Sequence, residues 1–466
     1  MCSGALALAE DVYIKALEIL GELKDIQNFL LELTQMLRWD YEFTMNYPKH
    51  QYLLFNLLAS KVLSNFESAN FLYWYLKSEA SDPDNSVIYE KFLNKFQLLL
   101  TNQNLSTFNS SSIGGSSLLS SPPPSRTMRS IFQSQQRLIN ELLQIYDEIF
   151  NLENKDATNL LRTRLQAIQI SEPIPLPINP AIHVTGFIIE SCSVLKSNTK
   201  PLRLTFSVAP SSENDSGPSK YALIFKKGDD LRLDMFFLQM LQFIDKLLQS
   251  ENFNLHLTPY RVLATSANDG FIEFVQDSTT LSALENENKS IKEYLSEANG
   301  GQITSSIMDI FSRSCAGYAV ITYLFGVGDR HLGNLMLKKT GNFFHIDFGY
   351  IFDNEPPFKG FISPDIKITP HMKDAFGGET STDFQVFIAH SCEVYNRVRT
   401  AGPLIIALAS LMRDSKIIKS PRELDSVRNF PTFSLYYKPN FLLCSWMRNL
   451  PLISRKKLLF SYLKMF

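Results

Sequence analysis

The residues best suited to chemistry lie in one short stretch of the chain, residues 326–349. It reads Gly-Val-Gly-Asp-Arg-His-Leu-Gly-Asn-Leu-Met-Leu-Lys-Lys-Thr-Gly-Asn-Phe-Phe-His-Ile-Asp-Phe-Gly. Residues 335–337 and 343–346 are apolar and flank the turn-forming sequence Lys-Lys-Thr-Gly-Asn, a pattern that predicts a β-hairpin. Such a hairpin brings Asn334, which precedes its first strand, close to Asp347, which follows its second strand.

The residue types at this predicted hairpin suit phosphoryl transfer. An amide oxygen and a carboxylate that converge are suitable ligands for Mg²⁺, a hard cation that takes few protein ligands and adds water and phosphate oxygens. Asp329 lies five residues before Asn334, the interval between the base and the metal-binding asparagine of protein-kinase catalytic loops. His331 lies between them, where it can accept a hydroxyl proton, and the adjacent Arg330 completes the catalytic candidates.

A phosphoryl-transfer site also needs a cation on the nucleotide phosphates, and Lys226 is the candidate. It follows residues 221–225, which have the composition of a strand. No G-x-G-x-x-G loop lies upstream, so we expect the turn at residues 196–200 to cover the phosphates through its backbone N–H groups and Ser197. Each of these residues alone is compatible with a structural role; their ordered combination favours the enzyme.

Composition sets outer limits on the function. The chain has 466 residues, enough for two or three domains, with 45% hydrophobic and 20% charged residues. A net charge of −2 gives no overall basic field that would attract nucleic acid, but it is compatible with local basic patches that bind membranes. The five scattered cysteines indicate reduced thiols in a cytoplasmic protein, and we expect no signal peptide. No apolar run reaches the roughly 18–20 residues that span a bilayer, so we expect peripheral membrane contact.

The elements that must position these residues change type along the chain. Residues 1–165 show helical periodicity, with an apolar stripe at Ala16, Ile19, Leu20, Leu23, Leu30, Leu33 and Leu37. A Ser/Gly/Pro-rich tract at 105–127 interrupts it and is predicted to be disordered. A proline-spaced segment at 173–180 marks a domain boundary. Beyond it, strands are predicted at 184–189, 202–208 and 221–225, and helices at 234–248 and 307–324.

Five sequence blocks, in this order, resemble those of the phosphatidylinositol 3-kinase and related-kinase superfamily, most closely its class III branch. They are F-K-K-G-D-D-L-R-L-D, L-T-P-Y-R-V-L-A-T-S, S-C-A-G-Y-A-V-I-T-Y, G-V-G-D-R-H-L-G-N-L and F-H-I-D-F-G-Y-I. The resemblance covers roughly residues 50–100 and 173–417. It implies an α+β, two-lobed kinase fold: an antiparallel-sheet N-lobe at 173–275 and a mainly helical C-lobe at 276–466. An all-α helical domain at 1–165 precedes them.

The resemblance also implies ATP and Mg²⁺ (or Mn²⁺) as cofactors and assigns roles to individual residues. Lys226 would bind the nucleotide phosphates, Asp234 and Tyr260 would line the inner pocket, and Glu273 and Val275 would meet adenine. Asp329 and His331 would orient and deprotonate an inositol hydroxyl. Asn334 and Asp347 would bind the metal.

The segment after the D-F-G sequence bears on the substrate. In the family, members that use multiply phosphorylated inositides carry a basic cluster there, because cations neutralise the extra phosphates. This chain has Lys359 and Lys367 among Asp353, Glu355 and Asp365. We therefore predict unphosphorylated phosphatidylinositol as the substrate, and the resemblance implies transfer to its 3-hydroxyl. By resemblance, the expected partners are a regulatory pseudokinase-like subunit and a coiled-coil adaptor on endosomal or autophagic membranes.

The chain departs from the family pattern in several places. Against the family pattern, we expect no N-terminal β-sandwich, a shorter helical domain, and divergence from about residue 418. Gly333 stands where the family usually has Asp before the metal-binding Asn. Two other hypotheses therefore stay open: a weak or inactive scaffold, and a superfamily kinase that acts on another inositol hydroxyl or on protein Ser/Thr.

Overall fold

The first part of the chain is helical. The computed structural model describes residues 2–22, 26–101, 127–210, 219–352 and 367–412. Up to residue 167 the helices are α1 (Cys2–Glu22), α2 (Leu30–Gln35), α3 (Leu37–Asn46), α4 (Leu53–Val62), α5 (Phe66–Ala80), α6 (Ser86–Leu100), α7 (Met128–Ile149) and α8 (Asn154–Ala167). Side-chain caps start two of them: Asn65 accepts from the Ser68 N–H at α5, and Thr127 accepts from the Ser130 N–H at α7.

A twisted antiparallel sheet follows the helical region. Its strands are β1 (Ile174–Leu176), β2 (Asn179–Phe187), β3 (Ser193–Val194), β4 (Leu202–Val208), β5 (Lys220–Lys227), β6 (Val262–Ala264) and β7 (Asp269–Glu273). They lie in the order β1-β2-β4-β5-β7-β6, with β3 paired to β4. On β4 and β5, Leu204, Phe206, Leu223 and Phe225 are fully buried on one sheet face, and the sheet contacts α9 (Arg232–Ser250) through β6.

A second, smaller sheet and a set of helices form the remainder. The sheet has the order β10-β9-β8 and contains β8 (Ser278–Thr280), β9 (Leu335–Lys338) and β10 (Phe343–His345). The helices are α10 (Leu281–Asn286), α11 (Ile291–Ala298), α12 (Ser305–Leu324), α13 (Pro370–Ala375), α14 (Thr382–Thr400) and α15 (Gly402–Leu411). A helical region, an antiparallel-sheet lobe and a mainly helical lobe thus follow in order, which confirms the predicted fold class.

Several sequence predictions can be compared directly with these elements. The predicted strands and helices between residues 184 and 324 are present, with bounds that differ by a few residues. The apolar stripe at residues 16–37 does not lie on one helix. Its described members lie in α1, α2 and α3, a 3-10 turn (Ile26–Phe29) precedes α2, and Leu23 lies outside the described residues. Lys359, the tract at 105–126 and the tail from residue 418 lie outside the described residues. Among the described helices, none is long and apolar enough to cross a membrane.

Candidate active site

Lys226 lies near the end of β5, in the middle of the larger sheet. Its Nζ is 2.5 Å from Asp229 Oδ2, and its side chain is 21% exposed. Burial opposes the charged form, but the Asp229 bond and the fields of Asp347 and Asp234 outweigh it and raise the pKa of Lys226. A cation that remains charged beside acidic groups suits the phosphates of a nucleotide.

Gly270 allows the strands next to Lys226 to approach closely. It pairs with Lys226 on one side and Ala264 on the other. A Cβ at residue 270 would lie 2.4 Å from the backbone oxygen of Leu263. Only glycine therefore fits this strand position without moving β6 away from β7.

The hairpin that was predicted from residues 335–346 is confirmed, with His345 of β10 opposite Leu335 of β9. The Ile346 N–H donates to the Asn334 carbonyl oxygen at 3.1 Å, which fixes the two ends of the hairpin side by side. Asn334, 6% exposed, donates through Nδ2 to the Asp329 carbonyl oxygen at 3.0 Å. The same amide therefore keeps its Oδ1 as an acceptor beside the segment that contains Asp347.

Arg330 connects the two loops of the candidate site. It is 5% exposed, and its guanidinium donates to the carbonyl oxygens of Gly328 at 2.7 Å, Ile346 at 2.8 Å, and Asp347. The guanidinium also lies 5.5 Å from the ring centre of Phe348, and burial lowers its pKa. Because these bonds go to the backbone, the described geometry gives Arg330 the role of holding the loops together.

Asp234 supports the segment around Asp347 from α9. Its Oδ1 accepts the Phe348 N–H at 2.7 Å, and burial followed by the charge of Asp347 raises the pKa of Asp234 to about 7. Tyr260 is buried next to both carboxylates, and burial is the main reason that its pKa is raised. The Phe348 ring stacks on Phe237 with centres 3.9 Å apart. Through Asp234 and Phe237, these contacts anchor the D-F-G segment to α9.

Two acidic residues of the candidate site have strained backbones. Asp329 has φ of +51° and Asp347 has φ of +63°, in the left-handed region that L side chains rarely adopt. Such conformations persist where surrounding bonds fix them, and they are frequent at functional sites. Here Arg330 and Asn334 supply those bonds.

His331 is exposed, and its ring is turned toward its own backbone. Its Nδ1 accepts the Gly333 N–H at 3.0 Å, so the neutral ring carries its proton on Nε2. A Cβ at residue 333 would lie 2.9 Å from Cε1 and Nδ1 of His331, so the glycine permits this contact. To accept a substrate proton, His331 has to release the Gly333 N–H, because that bond occupies the Nδ1 lone pair.

Glu273, the last residue of β7, and Val275 just beyond it are the residues that the resemblance assigned to adenine. The Glu273 carboxylate is engaged, since Oε1 accepts from the Tyr221 hydroxyl at 2.8 Å and Oε2 from the Arg261 N–H at 2.9 Å. The Phe274 N–H donates to the Ala222 carbonyl oxygen at 3.1 Å. Within the described residues, the Val275 N–H donates no hydrogen bond, which leaves it for a ligand.

The remaining predicted residues lie apart from these loops. Ser197 is exposed in the turn between β3 and β4, and its Oγ is 3.4 Å from Thr199 Oγ1. Lys367 is half-buried, and its charge contributes, after burial and Arg330, to lowering the pKa of the buried His345.

Sequence reasoning missed Arg203 and Phe274. Arg203 lies opposite Ile224 in the β4–β5 register, so it shares a sheet face with Lys226. Its guanidinium lies 4.3 Å from the Phe274 ring centre, and both line a cavity of about 210 Å³. The two-residue alternation of strands could have placed Arg203 on the Lys226 face, but only once the register of β4 against β5 was known.

The metal-binding candidates fit a cation that is completed by phosphate oxygens. Asn334 and Asp347 offer an amide oxygen and a carboxylate, both hard donors. In the described part of the chain, no group of three or more His, Cys, Asp or Glu is placed to hold a metal. A divalent cation at this position would therefore depend on the nucleotide for part of its coordination shell.

Comparison with known proteins gives consistent matches. Residues 220–421 match the family described as phosphatidylinositol 3- and 4-kinase. "Phosphatidylinositol 3-kinase pik3" of Schizosaccharomyces pombe is 34% identical over 411 residues, 84% of this chain and 47% of that protein. "Phosphatidylinositol 3-kinase VPS34" of Arabidopsis thaliana is 34% identical over 88% of this chain and 48% of its own length. The protein of that name in Saccharomyces cerevisiae is 34% identical over 78% of this chain and 38% of its own length. The chain thus spans less than half the length of each of these relatives.

Proposed function

The chain belongs to the phosphatidylinositol 3- and 4-kinase family, and from this membership we propose that it transfers the γ-phosphate of ATP to the 3-hydroxyl of phosphatidylinositol. The observation that carries the proposal is the arrangement around the confirmed hairpin. Asn334 and Asp347 lie at its two ends, and Lys226 lies within the electrostatic reach of Asp347. This is the set of oxygen ligands and phosphate-binding cation that phosphoryl transfer requires.

ATP would bind between the larger sheet and the hairpin. The Val275 N–H would donate to adenine, with the Phe274 and Arg203 side chains beside the base. Lys226 would exchange part of its interaction with Asp229 for the phosphate oxygens. Asp234 would hold the Phe348 N–H and so keep Asp347 in place. The chain's own residues thereby fix the direction in which the γ-phosphate points.

The transfer step needs one proton acceptor. The inositol 3-oxygen forms a bond to the γ-phosphorus, the bond from that phosphorus to the β–γ bridging oxygen breaks, and ADP leaves. Asp329 or His331 takes the hydroxyl proton, and His331 can do so only after it releases the Gly333 N–H. Asn334 and Asp347 would hold Mg²⁺ or Mn²⁺, which supplies positive charge on the β- and γ-phosphates when bound.

The substrate and cellular setting are proposed from the sequence and the relatives. Lys359 and Lys367 do not form a dense basic cluster, which favours an inositol ring without further phosphates. The printed names of the relatives support a 3-kinase. By the resemblance, we propose peripheral association with endosomal or autophagic membranes, a role in trafficking and autophagy, and a pseudokinase-like subunit and coiled-coil adaptor as partners.

The proposal is tested with purified chain, ATP and magnesium on vesicles that contain phosphatidylinositol or one of its phosphorylated forms. We expect phosphatidylinositol to be the preferred acceptor. Lys226→Met should abolish turnover because the phosphates lose their cation. The exposed Lys292→Met is the matched control and should leave turnover unchanged.

The alternatives give different results in the same assay. Faster turnover of a phosphorylated inositide would overturn the substrate assignment, and transfer to protein Ser/Thr would assign a different acceptor. A folded chain that binds ATP without any transfer, or binds no ATP, would support the scaffold hypothesis.

A further inference from the structure

The helical region contacts the turn at residues 196–200 directly. The Tyr146 hydroxyl, at the C-terminal end of α7, donates to the Thr199 carbonyl oxygen at 2.5 Å. It also lies 3.5 Å from the Lys227 carbonyl oxygen. One buried hydroxyl, on a side chain that is 4% exposed, thus bridges the turn between β3 and β4 and the end of β5.

The backbone of this turn is strained, and the helical region holds it. Lys200 has φ of +43°, which costs a non-glycine residue free energy unless other contacts stabilise it. Its N–H donates to the Ser197 carbonyl oxygen at 3.1 Å, and its ammonium donates to the Leu152 carbonyl oxygen in the connection between α7 and α8. The conformation of the turn therefore depends on residues that precede the sheet.

The same corner of the helical region holds the residue after Lys226. The Lys227 ammonium lies 2.5 Å from Asp147 Oδ1 and 5.5 Å from the Tyr146 ring centre. Lys226 and Lys227 are adjacent in β5, so their side chains point to opposite sheet faces. Lys227 thus ties its strand to α7 while Lys226 extends toward Asp229 and the field of Asp347.

We propose that Tyr146 is a positioning residue that sets the distance between the turn at 196–200 and Lys226, and thereby selects for the phosphates of the nucleotide. This inference rests on the proposed function, in which Lys226 holds those phosphates, and on the sequence-based expectation that the turn at 196–200 covers them. Tyr146 touches no reacting atom, and its hydroxyl acts through two backbone carbonyl groups. The family match begins at residue 220, so the α7–α8 corner supplies this contribution from outside it.

The test compares affinities for ATP and adenosine in Tyr146→Phe, which keeps the ring on Lys227 and removes only the hydroxyl. Loss of one such hydrogen bond should weaken ATP binding about threefold to tenfold and raise KM for ATP with little change in kcat. Adenosine, which lacks phosphates, should bind unchanged. The matched control is Tyr89→Phe, whose hydroxyl donates to the Thr34 carbonyl oxygen at 3.1 Å within the helical region. It should bind both ligands like wild type.

Amide hydrogen exchange without nucleotide separates this inference from the proposed function. Faster exchange at residues 197–200 in Tyr146→Phe, with no such change in Tyr89→Phe, supports the positioning role even if the chain transfers no phosphate. Unchanged exchange in that turn, or an equal loss of ATP and adenosine affinity, would overturn it. Thermal midpoints within about 1 °C of wild type would show that the variants are folded.

Discussion

Replacement of Arg232 by Met tests how the helical region is fixed to the kinase lobes. Arg232 is the first residue of α9 and is 4% exposed. Its guanidinium lies 2.7 Å from Asp230, 2.8 Å from Asp82 and 3.3 Å from Glu79, and the last contact is an ion pair without hydrogen-bond geometry. Because Glu79 lies at the end of α5 and Asp82 lies just beyond it, one cation joins regions 150 residues apart along the chain.

The expected loss of stability in Arg232→Met follows from Glu79, the buried carboxylate that would lose its cation. Glu79 is 2% exposed, and burial raises its pKa although Arg232 and the amide of Gln35 favour the charged form. Removing one partner of a buried ion pair typically costs about 3–5 kcal/mol. The amides of Gln35 and Asn85, at 2.8 and 3.0 Å, still bond to Glu79 and place this case near the lower end, about 3 kcal/mol. Asp230, with its side chain 40% exposed, should add little.

The cost should depend on pH, with a definite sign. Without Arg232, the pKa of Glu79 rises further, so the variant gains a proton that wild type binds only at lower pH. Urea unfolding should therefore show a larger loss at pH 8 than at pH 5.5. Glu79→Gln in the Arg232→Met background should recover at least about 1 kcal/mol at pH 8. A loss below about 1 kcal/mol at both pH values, or no recovery in the double variant, would refute the reasoning.

Three further predictions concern single positions. Burial raises the pKa of Glu32 to about 7, so its stabilising contribution is full below about pH 4 and is lost as pH rises through 7. Glu32→Gln should flatten the fall in thermal midpoint between pH 5.5 and 8.5, and an unchanged slope would contradict this. Gly270→Ala should lower the thermal midpoint by several degrees, because its Cβ would lie 2.4 Å from the Leu263 oxygen; an unchanged midpoint would show that β6 yields. Gly333→Ala should displace the exposed His331 ring and change its ¹⁵N tautomer signals, with stability altered by less than about 0.5 kcal/mol; unchanged ¹⁵N signals would refute the contact.

The local parts of the site could be predicted from the sequence. The hairpin at 335–346 depends on alternation and a turn within a few residues, so Asn334 and the segment of Asp347 were correctly brought together. Lys226 was recognised at a strand end for the same reason. Short-range patterns contain this information because the turn residues determine the pairing.

The parts that depend on long-range contacts could not be predicted. The Arg232 network joins residues 79, 82 and 232, and no periodicity links them. The backbone strain at Asp329 and Asp347 is imposed by Arg330 and its neighbours, not by residue type. The apolar stripe at 16–37 had helical spacing throughout, but the 3-10 turn at Ile26–Phe29 divides it. Spacing alone does not reveal such a break.

The most direct test of the central claim is chromatographic identification of the product formed from phosphatidylinositol vesicles, ATP and magnesium, with Asp347→Asn as the control. Asp347 is exposed at the end of the hairpin, so the substitution should leave the fold intact while removing the carboxylate that is proposed to bind the metal. We expect phosphatidylinositol 3-phosphate from wild type and none above background from the variant. A 4-phosphate product, or equal product from both proteins, would contradict the account.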